Sequence, residues 1–177
     1  MKEHAFENGK KVDLDVLKVP RLPAQEYAKV HQRVVIACHD VIIEYGGGAL
    51  LIVRDKVPAK HLLWPIGGRI QRGMPLVESL RQKVREECGL EIEGITELGV
   101  SRTYFDTDPF GHGKGTDTIN VMFFARGKGT IQLDQLHKNP TTIKPKEYTS
   151  TFRATLHPYV QEIMDKAMGT LKKTIIK

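Results

Sequence analysis

The stretch that decides the fold opens Gly67-Gly68-Arg69-Ile70-Gln71-Arg72-Gly73 and closes Val84-Arg85-Glu86-Glu87-Cys88-Gly89-Leu90. A glycine loop lets a ligand reach backbone amides and carbonyls, because no side chain intervenes. Between the two ends the pattern predicts a helix over 75–88. Pro75 suits a first turn, Leu76, Leu80 and Val84 form a stripe at four-residue spacing, and Gly89 follows as a stop. That helix sets Glu86 and Glu87 near its C-terminal end, where a carboxylate opposes the macrodipole. A cation bound for function accounts for the placement. Hard oxygen ligands of this kind suit Mg²⁺ or Mn²⁺, which would hold a pyrophosphate. The other reading is a solvated glutamate pair with Lys83 and Arg85 as neighbours.

Upstream, 61–65 reads as a short extended piece and 49–54 as a strand. Gly46-Gly47-Gly48 supplies the positive-φ freedom of a hairpin turn back to a Val/Ile-rich strand over 33–43. Pro20 and Pro23 bound a helix over 24–32, and residues 1–22 are polar and mixed. Downstream, strands are predicted over 95–105 and 118–126, joined by a loop over 106–117 rich in Gly, Asp and Pro. Pro140 and Pro145 argue for irregular backbone across 127–156. An amphipathic helix over 158–168 follows, then a basic tail over 172–177 read as a solvated end. Strands and helices intermingle without regular alternation, which fits an α/β sandwich on a mixed sheet.

Composition narrows the function classes. A chain of 177 residues, 40% hydrophobic and 27% charged, is expected to form one domain with a real core, about 25–168. Its longest apolar runs, 34–38 and 49–53, fall far below the ~18 residues of a membrane span. Cys38 and Cys88 cannot build a disulfide framework, and the N-terminus opens no apolar signal core, so a cytoplasmic protein is expected. The net charge of +6 points to an anionic partner, whether nucleic acid, a membrane surface or a small phosphorylated ligand.

The loop–helix–loop resembles the Nudix box, Gly-x5-Glu-x7-Arg-Glu-U-x-Glu-Glu-x-Gly-U, where U is a bulky aliphatic. Gly68, Val84, Glu86, Glu87, Gly89 and Leu90 match it, while Met74, Gln82 and Lys83 replace Glu, Arg and Glu. The resemblance covers roughly 25–126 and implies the Nudix fold, a mixed β-sheet sandwiched between helices, with Mg²⁺-dependent chemistry (Mn²⁺ also possible). Lys83 lies four residues before Glu87, so the two share a helix face. An ammonium beside Glu87 repels a second cation, and one firmly held divalent ion is expected. Glu87 leads its ligands, followed by a Gly67 carbonyl, Glu86 and Gln135. Activation of water by several metals is thereby put in doubt.

One Nudix branch, the GDP-mannose mannosyl hydrolases, is similar in lacking the paired glutamates while keeping the final one. Arg54-Asp55-Lys56-Val57-Pro58-Ala59 and Trp64-Pro65-Ile66-Gly67-Gly68-Arg69-Ile70-Gln71 are similar to its pattern, with one residue fewer between the Trp and the glycines. Tyr104-Phe105-Asp106 through Phe110 to Thr116-Asp117 resembles its substrate loop, with extra Gly, His and Lys inserted. The resemblance implies that water attacks the sugar carbon of GDP-mannose or GDP-glucose, releasing GDP and free hexose with inversion. It makes Arg54 and Arg69 phosphate ligands, Tyr104 and Asp106 substrate-binding, and His137 the general base, with His112 as competitor. Asp40 aligns with an acidic residue of the branch's site, although a strand-end Asp can simply cap a turn.

A homodimer is implied, with neither nucleic acid nor membrane as partner. Cys38 and Cys88 read as packing residues, and Trp64 either stacks on a base or fills core. Two alternatives remain open. One is a pyrophosphohydrolase cleaving the phosphoanhydride of a nucleotide sugar, an NTP or ADP-ribose. The other is a non-catalytic nucleotide or RNA sensor.

Overall fold

A computed structural model of the chain describes residues 1–175. A short hairpin, β1 (Phe6–Glu7) and β2 (Lys10–Lys11), and a single 3-10 turn at Leu14–Leu17 precede helix α1 (Ala24–His31). Then come β3 (Ile36–Tyr45), β4 (Gly48–Arg54), β5 (Leu63–Trp64), β6 (Ile66–Arg69) and α2 (Leu76–Cys88). The chain ends with β7 (Glu91–Phe105), β8 (Thr116–Lys128), β9 (His137–Ile143), α3 (Ser150–Ala154) and α4 (Pro158–Ile175).

Seven strands form one mixed sheet in the order β5-β4-β3-β8-β7, with β6 added to β3 and β9 to β4. Among the described residues, only the β3–β8 pairing is parallel. The period-2 alternation of β3 sends Ile42 to one face and Val41 and Ile43 to the other. On the first face Ile42, Leu51, Met122 and Phe124 pack against Val160, Ile163, Met164 and Leu171 of α4. On the second, Val41, Ile43, Leu50 and Phe123 pack against Leu76, Leu80, Val84 and Cys88 of α2. Each such aliphatic side chain contributes roughly 1.5–3 kcal/mol on burial. The expected sheet between helices is the architecture found.

β4 pairs with β3 only through Leu50, then takes β5 as its neighbour at Ile52 and Val53, while β3 takes β6 from Cys38 to Val41. The sheet therefore splits between β3/β6 and β4/β5. Gly67 lies at that split, opposite Asp40, where a Cβ would overlap Asp40 Oδ1 and the His39 carbonyl. Gly89 adopts φ +71° and its N–H donates to the Arg85 carbonyl, ending α2 where the sequence predicted.

The main departure lies in 127–156, expected to be irregular. It holds an edge strand, β9, which carries Pro140, and the short helix α3. The pairing with β4 slips between Leu51 and Val53, and Asn139 and Pro140 fall in that slip, so the proline interrupts no ladder bond. β3 starts at Ile36, leaving Val34 and Val35 exposed. β7 starts earlier than expected, at Glu91, and β8 runs from Thr116 to Lys128, which shortens the intervening loop to 106–115. α4 runs on past 168 because Leu171 continues its buried stripe, and residues 176 and 177 of the basic tail lie outside the described residues.

Candidate active site

Glu87 occupies the last turn of α2 and is 9% exposed. Its Oε2 accepts a 3.2 Å hydrogen bond from the Gly67 N–H, so the split in the sheet and the end of the helix meet at this carboxylate. Burial pushes its pKa up to about 7, against the opposing pull of the Lys83 ammonium and the Gly67 amide. Lys83 Nζ lies 3.6 Å from Glu87 Oε1 and 3.6 Å from Glu86 Oε2, as the four-residue spacing predicted.

The segment after β8 closes the site. Gln132 N–H donates to the Cys88 carbonyl and Asp134 N–H to the Glu87 carbonyl, satisfying acceptors left free at the end of α2. Asp134 Oδ1 then accepts from the Leu136 N–H at 2.8 Å and lies 2.7 Å from His137 Nδ1. The tautomer that donates from Nδ1 to Asp134 leaves Nε2 without a proton, 3.9 Å from Glu87 Oε2. Burial lowers the pKa of His137, Asp134 works against it, and the Arg54 and Lys83 charges lower it further. Arg54 stands opposite His137 in the β4–β9 register, and its charge also reaches Glu87 and Asp40.

The donor set fits a divalent cation. Ligand atoms of Glu87, Asp134 and His137 all lie within 4.8 Å of one another, and two of the three are carboxylate oxygens, which suit hard ions. The set differs from the one expected. Gln135 is exposed beside Asp134, and Glu86 stands outside the cluster, bonded by Gln82 at 2.7 Å and paired with Arg21 at 3.4 Å and Lys83 at 3.6 Å. Gly67 contributes its amide to Glu87. Asp134 was missed; the fall of an Asp three residues before a His was its only signal in the sequence.

Other expected residues are distributed more widely. Asp40 is buried on the α4 side of Gly67 and accepts a 2.5 Å hydrogen bond from the Tyr159 hydroxyl. Burial lifts its carboxyl to about 6. It sits inside β3 and caps no turn. Arg69 lies on β6, opposite Cys38 of β3, and Arg54 on β4, opposite His137 of β9, and both charges reach the Cys38 thiol. The Arg69 guanidinium lies 4.0 Å from the centre of the Tyr27 ring, lining a cavity of about 520 Å³ between α1 and α2. Tyr104 and Asp106 are exposed, and Tyr104 packs under Arg102. His112 lies outside the Glu87 cluster, hydrogen-bonded to His31 at 2.8 Å and held close to Asp108. Trp64 is core, ringed by Phe105, His157 and Tyr159. Burial raises the thiol pKa of Cys38 to about 12 and of Cys88 to about 11, which makes both poor nucleophiles.

No protein-family model matches the chain. Solved structures do. A MutT NUDIX hydrolase from Burkholderia pseudomallei superposes with a TM-score of 0.61 at 17% identity, covering 76% of this chain and 98% of that one. The NUDIX domain of Shewanella oneidensis NrtR, solved as a complex with ADP ribose, gives a TM-score of 0.60 at 14% identity, covering 85% and 99%. The class is thus a glycine loop and helix set against a split mixed sheet, and the fold is the Nudix fold. In sequence, the chain is 26% identical over 145 residues to the low-salt glycan biosynthesis protein Agl8 of Haloferax volcanii, spanning 82% of this chain and 90% of that protein. Among the described residues no helix is long and apolar enough to cross a membrane.

Proposed function

We propose that this protein hydrolyses a nucleotide-diphosphate sugar, GDP-mannose or GDP-glucose, to GDP and free hexose by attack of water at the sugar carbon. The observation that carries the reading is the convergence of His137, Asp134 and Glu87, with Lys83 turned onto Glu87. The Nudix fold supports a hydrolase, and the likeness to a protein named for glycan biosynthesis supports a sugar-bearing substrate.

In this reading Glu87, with Asp134 beside it, would hold one Mg²⁺ or Mn²⁺, whose charge neutralises the leaving diphosphate. His137 Nε2 takes a proton from water while the water oxygen bonds to the anomeric carbon. The bond from that carbon to the β-phosphate oxygen breaks, and its electron pair leaves with GDP. The Arg54 guanidinium faces the charge that develops on the departing phosphate. Arg69 serves the nucleotide from the neighbouring cavity.

Incubation with a panel of nucleotide sugars and Mg²⁺, with products identified by phosphorus NMR, tests the proposal. A nucleoside diphosphate and free hexose are expected. A nucleoside monophosphate and sugar phosphate would replace this reading with phosphoanhydride cleavage, and tight binding without turnover would favour a sensor.

A further inference from the structure

Lys83 belongs to two places at once. Its ammonium stands 3.6 Å from the carboxylates of Glu86 and Glu87, ion-paired with both. Its stem runs alongside Gly68, with Cε 3.6 Å from where a Cβ there would lie. It also lines the cavity of about 520 Å³ whose other walls include Tyr27, Phe110, Arg21, Arg69 and Arg72. A lysine ammonium carries three N–H donors and no acceptor. Here that group, 23% exposed, is held between two carboxylates, and with three donors it keeps one for a further acceptor.

The cavity itself has two characters. Its apolar part comes from Tyr27 and Phe110, with ring centres 5.3 Å apart, and from Leu22 and Val35, while the Arg69 guanidinium stacks 4.0 Å over the Tyr27 ring. Arg21, Arg69, Arg72 and Lys83 set four cations in the lining against the single carboxylate of Glu86. A volume of this size lies within the range that encloses small organic ligands. Aromatic and apolar surface together with surplus positive charge fit a nucleoside diphosphate, with the base beside the aromatic pair and the phosphates at Lys83.

We propose that Lys83 is a phosphate ligand, holding the diphosphate of a nucleotide seated in this cavity at the edge of the Glu87 cluster. The inference rests on the nucleotide-sugar reading and assigns its diphosphate a contact on this chain that needs no second cation. Lys83 gives a charge-assisted hydrogen bond to a phosphate oxygen, and its carbon stem keeps it aligned along Gly68.

Calorimetric titration of the full chain with GDP, ADP and UDP in EDTA tests this without any turnover. At least one of the three is expected to bind metal-free wild type. Lys83→Met keeps the stem and should weaken that diphosphate by about 10-fold or more, while Lys83→Arg retains most of the affinity. Tyr27→Ala should weaken the diphosphate and its parent nucleoside alike, whereas Lys83→Met should spare the nucleoside. Circular dichroism melts confirm that each variant is folded. The proposal is overturned if none of the diphosphates binds without metal, if Lys83→Met binds like wild type, or if it loses nucleoside and diphosphate equally. Product analysis on nucleotide sugars is independent of these titrations, so the reaction can be wrong while the Lys83 contact stands, and the reverse.

Discussion

Asp134 Oδ1 lies 2.7 Å from His137 Nδ1 at the point where the chain enters β9, and the Leu136 N–H fixes the same oxygen. The pair selects one tautomer of the imidazole and turns its other nitrogen toward Glu87. Partners of this kind, one step behind the reacting group, typically matter 10–100-fold in activity.

Asp134→Asn weakens that orientation without emptying the site. Turnover of the nucleotide sugar is expected to fall by about 10–100-fold, while His137→Ala falls further. The stabilisation expected from the proposed cation should persist through Glu87. Steady-state rates beside thermal melts check the prediction, and an Asp134→Asn enzyme with wild-type kcat removes the pair from the mechanism.

Glu87→Gln probes the cation. If Glu87 holds the proposed cation, Mg²⁺ or Mn²⁺ should raise the Tm of wild type, with about 2.7 kcal/mol of stabilisation at a hundred times Kd. The variant should show no such shift. Without metal it should be at least as stable as wild type above pH 7, since the buried carboxylate with a pKa near 7 no longer ionises.

Asp40 carries a pH dependence of definite sign. Its folded pKa of about 6 exceeds the ordinary 3.8, so the folded state keeps a proton that the unfolded chain has lost. The stabilisation is fully present below about pH 4 and disappears as pH rises through 6, amounting to about 3 kcal/mol from this group. Asp40→Asn still accepts from the Tyr159 hydroxyl and has nothing to ionise. Urea unfolding at pH 4.5 and 7.5 should show wild type losing stability relative to the variant at the higher pH.

The His31–His112 contact responds in the opposite direction. Burial, followed by the neighbouring His112, lowers the pKa of His31, so the folded state resists taking up a proton. The clasp between α1 and the 106–115 loop is therefore intact above about pH 6.5 and weakens as pH falls below it. Hydrogen exchange should show α1 amides losing protection at pH 5.5 relative to 7.5. Replacing His31 by Phe, which keeps the packing on Tyr27 and Phe110, should flatten that difference.

What the sequence determined by itself was local. The stripe of Leu76, Leu80 and Val84 with Gly89 behind it defined α2, because helical burial repeats every three to four residues and a left-handed cap calls for glycine. Gly46 and Gly47 made the β3–β4 turn legible in the same way, and the four-residue step put Lys83 on Glu87. Tertiary structure alone decided which distant groups converge. Asp134, and not Gln135, joins Glu87 because its own amide caps the end of α2. Arg54 stands opposite His137 and Arg69 opposite Cys38, because their strands take different neighbours where the sheet splits. His112 is taken from the site by a histidine 81 residues away. Periodicity records which face of an element is buried, whereas the meeting of side chains depends on strand register and on backbone groups seeking partners across the fold.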